Sequence, residues 1–516
     1  MRVLLDVMRH YRVVVTVISS TIYSAAFSQT DFDDYLRERN RQFEEYKASK
    51  VKEYEVYRNR INKEYSDFMR TKWETFTVSP EIPIPLFSEP IEPPIVDPEE
   101  PRTEEPLPFS QIKPVPEAPV PAVPLLPYVE PDKPTAPMTP SLPEMTPGRD
   151  SEPSSNPNDI SFNFYGCKYK VRFSPELRFS LPDVKENTVA DAWSMLSKDE
   201  SVELIETCIN LRNELGLSDW GYLRLLQNFS NEVYPRSANE ATLLQMFILA
   251  QSGYKVRPAR RGEKLMLLIP NRELLYSYLY TTIGGENYYI IDDDKSTGDV
   301  QLYNKSFPNE QSFTLELQRM PRLGYSADSE RQFCSNTGDN LCATVCVNTN
   351  LIDFFNDYPL SSYWDVYANA SLSDEVKSQL YPTLRTAISG KSKSEAANIL
   401  LHFTQKAFKY KTDGEQFGYE RPFFADETFA YPYSDCEDRA ILYSVLVRDL
   451  LDLPVVLVHY QGHLATAVMF DEDVAGDYFA LDGGRYVVCD PTYINADIGM
   501  AMPMYKSASV ELLRLK

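Results

Sequence analysis

Aromatic residues recur every eleven positions near the start of the chain: Phe32 and Tyr35, Phe43 and Tyr46, Tyr54 and Tyr57, Tyr65 and Phe68, then Phe76. Eleven residues make three helical turns, close to the natural 3.6-residue period. The pattern therefore predicts a single aromatic stripe on a long, nearly straight helix within 29–78. The positions between are mostly Glu, Lys, Arg and Asp, and neither glycine nor proline interrupts them. A helix of this kind is marginal alone in water, so residues 32–76 are expected to dock on the globular part, on a second copy or on another partner.

The pattern then changes abruptly. Roughly a third of the residues from Pro80 to Pro157 are proline, which fixes φ and removes backbone donors, so 79–159 reads as an extended spacer without regular structure. Alternation resumes at Ile160 with Phe162, Phe164, Tyr169 and Val171, a short hairpin. Helical periodicity follows over 189–215, 220–233 and 238–252, and strand-like runs over 265–269, 288–291 and 300–303. From about Leu341 the order repeats, with helices at 392–409 and 436–451 and strands at 455–460, 463–470, 478–481 and 486–489. Helices first and a sheet after, twice over, predict an α+β class with units at 160–335 and 336–516. An echo between the halves suggests duplication. Ser237 to Ala241 precedes an apolar helix as Cys436 to Ala440 does, and aligning Ala241 with Ala440 puts Ser237 opposite Cys436. No histidine lies between His10 and His402, so a first copy would be catalytically dead.

Composition narrows the functions. The net charge of −23 argues against nucleic acid and anionic membrane surfaces as partners. Arg2, Arg9 and Arg12 followed by the apolar 13–22 and by Ala26-Phe27-Ser28 read as a signal peptide over 1–28, which implies a periplasmic, cell-surface or secreted protein. No later run is long and apolar enough to span a bilayer. Export would let disulfides persist, and seven cysteines leave at least one thiol unpaired or intermolecular; Cys334, Cys342 and Cys346 lie close enough in sequence for one pair among them to be bridged, and the spacing leaves the pairing open. The Cys and His spacings match no zinc pattern, so neither a metal nor a cofactor is expected.

The chemistry concentrates near the C-terminus. Ser434 followed by Glu437 has the spacing of a capping box, which would put Cys436 in the first turn of a helix, where the dipole and unpaired N–H groups favour thiolate. His463 follows Gly462 at the start of a strand, and Asp490 ends the next hairpin. The intervals are equal, 463 − 436 = 27 and 490 − 463 = 27, so a thiol, an imidazole and a carboxylate arrive in order at the ends of neighbouring elements. That set can serve as nucleophile, acid–base and ring orienter. For the oxyanion the candidates are the Cys436 N–H and the hydroxyls of Tyr433 and Tyr431. Asp435, Asp438 and Arg439 are expected to cap and solubilise the helix, and His459 to be structural.

Taken together, the run from Tyr431 to Cys436, Gly462-His463 and Asp490-Pro491-Thr492 resemble the three motifs of the transglutaminase-like superfamily, with a helix containing Tyr410 ahead of them. The likeness covers about the last 130 residues. It implies a papain-like core and a thioester at Cys436, resolved by water in peptidases and by an amine in transglutaminases. The chain departs from the pattern after the histidine, where Ala465 and Thr466 stand in place of a tryptophan, and this weakens the cross-linking reading. The leading expectation is hydrolysis of peptide or side-chain amide bonds in a peptide or protein substrate. The alternatives are a cross-linking enzyme and a non-catalytic surface assembly or binding protein.

Overall fold

The computed structural model describes residues 37–46, 48–50, 52–85, 92–97, 104–125, 157–292, 294–335, 341–361 and 363–516. The expected signal peptide, Phe32 and Tyr35 lie outside them. Residues up to Asn62 belong to one unit; Lys63–Pro124 and Ala136–Lys516 belong to a second, much larger one.

In the first unit residues 37–46, 48–50 and 52–62 are helical, and Phe43 and Tyr46 are exposed. In the second unit residues 63–69 are helical. There the next aromatic of the repeat changes its environment: Tyr65 is buried against Trp193, Tyr303 and Phe307. Phe76, expected on the same helix, instead lies in strand β1 (Glu74–Val78). The repeat carries on past the helix because its last member serves the alternation of a strand.

The larger unit is built on two six-stranded sheets. After the hairpin β3 (Asp159–Phe164) and β4 (Cys167–Arg172) come four helices: α1 (Glu186–Leu196), α2 (Ser201–Leu215), α3 (Asp219–Val233) and α4 (Ala238–Gln251). The first sheet is then completed by β5 (Arg257–Arg261), β6 (Lys264–Pro270), β7 (Tyr280–Ile283), β8 (Glu286–Ile290) and β9 (Gly298–Leu302), in the order β1-β9-β5-β6-β8-β7. A small hairpin, β10 (Arg331–Ser335) and β11 (Leu341–Val345), carries the disulfide Cys334–Cys342 across directly paired positions. Helices α5 (Thr349–Asn356), α6 (Trp364–Ala368), α7 (Asp374–Ile388), α8 (Lys393–Lys406), α9 (Asp413–Gln416), α10 (Glu427–Ala430) and α11 (Cys436–Leu451) follow. The second sheet takes β12 (Val455–Tyr460), β13 (His463–Met469), β14 (Tyr478–Leu481), β15 (Gly484–Cys489) and β16 (Val510–Arg514), in the order β14-β15-β13-β12-β16-β2, where β2 is Phe109–Lys113.

The two sheets share one connectivity. In each, a buried helix (α4 or α11) leads into a hairpin (β5/β6 or β12/β13). A second hairpin joins it through its later strand (β8 on β6, β15 on β13), and a closing strand returns on the first (β9 on β5, β16 on β12). An early segment then adds an edge strand, β1 antiparallel on β9 and β2 parallel on β16. Both central hairpins turn through a glycine with positive φ, Gly262 at 58° and Gly462 at 77°, a conformation that side chains with a Cβ rarely adopt.

Strand β2 comes from the tract expected to be a plain spacer. Phe109–Lys113 is a proline-free run between Pro108 and Pro114, and it sits at an edge, where prolines on either side cost no ladder bonds. The same tract is bonded elsewhere too, with Val96 N–H donating to Ile494 O, in the loop after β15, at 2.9 Å and Leu107 N–H to Tyr478 O of β14 at 2.8 Å. In its described residues, then, the tract is not a plain spacer: it supplies an edge strand and bonds to the body.

Helix α11 is the centre of the second half. Every residue from Cys436 to Val447 is buried, including Glu437, Asp438 and Arg439. Its apolar side chains, such as Leu442 and Leu446, each contribute about 1.5–3 kcal/mol on burial. The helix ends where Asp452 enters the left-handed region, ahead of Pro454.

Candidate functional site

Cys436 is the first residue of α11, but the cap is one position later than the sequence spacing suggests. Asp435, not Ser434, is the N-cap, and its box partner is Asp438, not Glu437. The shift has a physical reason: Ser434 is drawn into a bridge with Tyr410, its N–H donating to Lys409 O at 3.0 Å. That bridge also places Tyr410 beyond the end of α8, outside the helix expected to hold it. Glu437 instead faces the thiol, the Cys436 sulfur lying 3.2 Å from its Oε2. In this state the thiol donates its proton to a carboxylate.

His463 opens β13, and Asp490 follows the last residue of β15, the strand paired with it. Their side chains meet, His463 Nε2 to Asp490 Oδ2, at 2.8 Å. The other carboxylate oxygen accepts the N–H groups of Thr492 at 2.9 Å and Tyr493 at 3.3 Å, so both oxygens are fixed. Gln405 holds the same loop from α8, donating to the carbonyls of Asp490 and Ala496. With Nε2 committed, the ring's exchangeable atom is Nδ1, which is buried and has no hydrogen-bond partner among the described residues. The ring is stacked with Tyr505 (5.2 Å between centroids, 7° between planes) and lies 5.9 Å from Tyr460.

The other candidates divide. The Tyr431 hydroxyl donates to Asn356 Oδ1 at 2.7 Å and its ring stacks on Phe423, so it is committed away from the thiol. Tyr433 is half-buried, with Lys411 Nζ 5.4 Å from its ring centre. His459 packs on Trp364 and faces Glu511 at 3.4 Å, a structural setting as expected. Of the remaining thiols, Cys208 and Cys489 are buried and pushed up to about 12 by desolvation, whereas Cys167 is half-buried and is the most accessible free cysteine of the described residues.

Asp435, Asp438 and Arg439 do not solubilise the helix; they are buried in a charged layer that sequence spacing did not reveal. Asp435 Oδ2 accepts the Asp413 N–H at 3.0 Å, Asp438 Oδ1 accepts the Phe423 N–H at 3.0 Å, and Asp413 Oδ2 accepts the Arg421 N–H. These carboxylates thus pin the 413–423 loop to α11. Arg439 supplies the positive charge, donating to Gln405 O at 3.2 Å, Phe408 O at 2.9 Å and Ser434 Oγ at 3.3 Å. Burial brings its guanidinium down to about 10. Two groups, Asp413 with Glu420 and Glu437, and Asp413 with Asp435 and Asp438, bring carboxylate oxygens within 4.8 Å of one another. That all-oxygen donor set suits a hard cation. A search for His and Cys spacings could not find it; the signal was the density of acids around Cys436.

Burial, and then the charge of Asp435, push Asp413 up to about 9. The unfolded carboxyl titrates near 3.8, so between these limits the folded state holds a proton that the unfolded state releases. The resulting stability is present at low pH and is lost as pH rises toward 9. In the presence of a chelator, Tm should fall from pH 5 to pH 9, by up to about 1.4 kcal/mol of stability per pH unit for one such group, and Asp413→Asn should flatten the slope. Equal slopes for the two proteins would contradict this assignment.

A matching corner exists in the first half. Ala238 opens α4 as Cys436 opens α11, Ser237 being the N-cap and so opposite Asp435 rather than Cys436. Lys264 opens β6 as His463 opens β13, and Lys264 Nζ meets Asp292, just past β8, at 2.7 Å. By order of elements, then, an alanine opens the helix and a Lys–Asp ion pair stands at the strand ends in the first half.

No protein-family model, no curated protein and no solved structure matches the chain.

Proposed function

We propose that the second half is a cysteine-dependent acyl-transfer enzyme that hydrolyses peptide or side-chain amide bonds through a thioester at Cys436. The observation that carries this reading is the fixed His463 Nε2–Asp490 pair with a buried, unpartnered Nδ1, in the half of the chain where Cys436 opens α11. On this reading Nδ1 takes the thiol proton as Sγ adds to the carbonyl carbon. The C–N bond then breaks, Nδ1 returns the proton to the departing amine, and the acyl group remains on sulfur. Water reverses the sequence: Nδ1 takes its proton, oxygen adds, and the C–S bond breaks to release acid and thiol. Asp490 orients the ring and balances the imidazolium. On this reading the Cys436 N–H, in the first turn of α11, is the donor offered to the oxyanion.

The transglutaminase-like motifs and a papain-like core belong to this proposal, as do export and a first half that is a degenerate copy. The shared connectivity and the Lys264–Asp292 corner support the last of these. The exposed aromatics Phe43 and Tyr46 fit self-association or partner docking through the N-terminal repeat. Incubation with a mixed peptide pool and mass spectrometry test the reaction: new termini or deamidated side chains are expected. Isopeptide products alone would favour the cross-linking alternative, and no product that depends on Cys436 would favour the scaffold.

A further inference from the structure

The proposed nucleophile is shut in. Cys436 is 1% exposed, His463 0% and Asp490 3%, so no protein amide can reach the sulfur without a movement. Of the three stacked rings, Tyr460 and His463 are buried, while Tyr505, which follows the exposed Met504, is only half-buried. Anything approaching the imidazole from solvent on this side meets Tyr505 first. Burial and then the charge of Cys436 beside it push the Tyr505 hydroxyl up to about 12, which agrees with a position over the thiol.

Tyr505 ends a short 3₁₀ turn (Pro503–Tyr505) in the loop that leads from Asp490 to β16. The loop is rooted on one carboxylate: Asp477 accepts the Ala501 N–H at 3.2 Å and pairs with Lys506 at 3.0 Å. Its near end is fixed where Gly499 lies against Gly476, so closely that a Cβ there would come within 2.5 Å of Ala475 O. The Tyr505 turn between these roots carries no strand pairing; it is held by the ring stack, by packing of Tyr505 on apolar residues that include Tyr493 and Met502, and by the pair of half-buried Lys506 with buried Asp477. A segment held by side-chain contacts and its own turn opens at lower cost than the paired strands on either side of it.

We propose that the Tyr505 turn is a roof over the thiol, and that opening it, with Tyr505 leaving the face of His463, admits the acyl substrate. This rests on the proposed role of Cys436, but its test does not require turnover. Cys436 alkylation by iodoacetamide is followed by peptide mass spectrometry in the full chain, with the buried Cys208 and Cys489 as reporters of unfolding. Tyr505→Ala should raise the rate at Cys436 about tenfold or more, while Tyr505→Phe, which keeps the covering ring, should leave it within about twofold. Lys506→Ala, which releases the ion pair and keeps the Tyr505 ring, should raise it about threefold. A Tyr505→Ala rate within about twofold of the parent, with Cys208 and Cys489 unmodified, overturns the roof. If Tyr505→Ala unfolds and labels all three, an unchanged rate in Lys506→Ala overturns it equally. Should Tyr505→Ala accelerate labelling while His463→Ala does not slow it, the roof stands and the catalytic reading falls.

Discussion

Replacing Cys436 by alanine should abolish amide hydrolysis, and His463→Ala should lower kcat by about 10³-fold or more, because each removes a member of a unit that acts together. Asp490→Asn is the more informative change. The 2.8 Å contact to Nε2 could survive as a neutral hydrogen bond, but an amide would no longer balance the imidazolium and could select the wrong tautomer. With Nδ1 as the exchangeable atom, the required tautomer carries its proton on Nε2 and donates it to Asp490. An asparagine that turned its amide nitrogen toward Nε2 would force that proton onto Nδ1, where it blocks attack. A loss in kcat of about 10²–10⁴-fold is expected, with KM little changed, and Tm should fall by only a few degrees. A variant that keeps full turnover would remove Asp490 from the account.

The largest effect on stability is expected at Arg439. Its guanidinium is buried, donates to three oxygens, and lies 5.2 Å from the Tyr410 ring. Arg439→Ala would leave two backbone carbonyls and the neighbouring Asp435 and Asp438 without its charge. Breaking a buried charge network from one side costs about 3–5 kcal/mol. Arg439→Lys should recover little, since a single ammonium cannot reach three acceptors in a fixed fork. Chemical denaturation of the two variants checks this, and a loss below about 1 kcal/mol for Arg439→Ala would mean that the layer is not held by its charge.

Much of the second half was legible because local signals agreed with the tertiary fold. The apolar runs at 455–460 and 478–481 became strands with those bounds, and His463 opens its strand as the Gly462 turn implied. What failed did so for identifiable reasons. The 189–215 helix breaks into α1 and α2, since Ser197 caps the first and the chain turns through 198–200 before the second. Ser434 lost the cap to Asp435 through a long-range bridge to Tyr410 that no window of sequence contains. Asp438 and Arg439 read as solvated helix ends because charged residues are rarely buried, and here they are buried as a partnered layer. Strand β2 was hidden because proline density outweighed five ordinary residues whose partner lies some 400 positions away. The thiol's contact with Glu437 was equally out of reach, since it depends on which of two adjacent acids takes the cap.

Rate measurements of Cys436 alkylation in the parent chain and in His463→Ala test the central claim most directly, with the labelled peptide identified so that the more accessible Cys167 is not mistaken for it. An assembled nucleophile–imidazole pair predicts that His463→Ala slows modification of Cys436 by about tenfold or more and leaves Cys167 unaffected. Equal rates at Cys436 in the two proteins would mean that the imidazole does not serve the thiol, and that the fold is a scaffold rather than an enzyme.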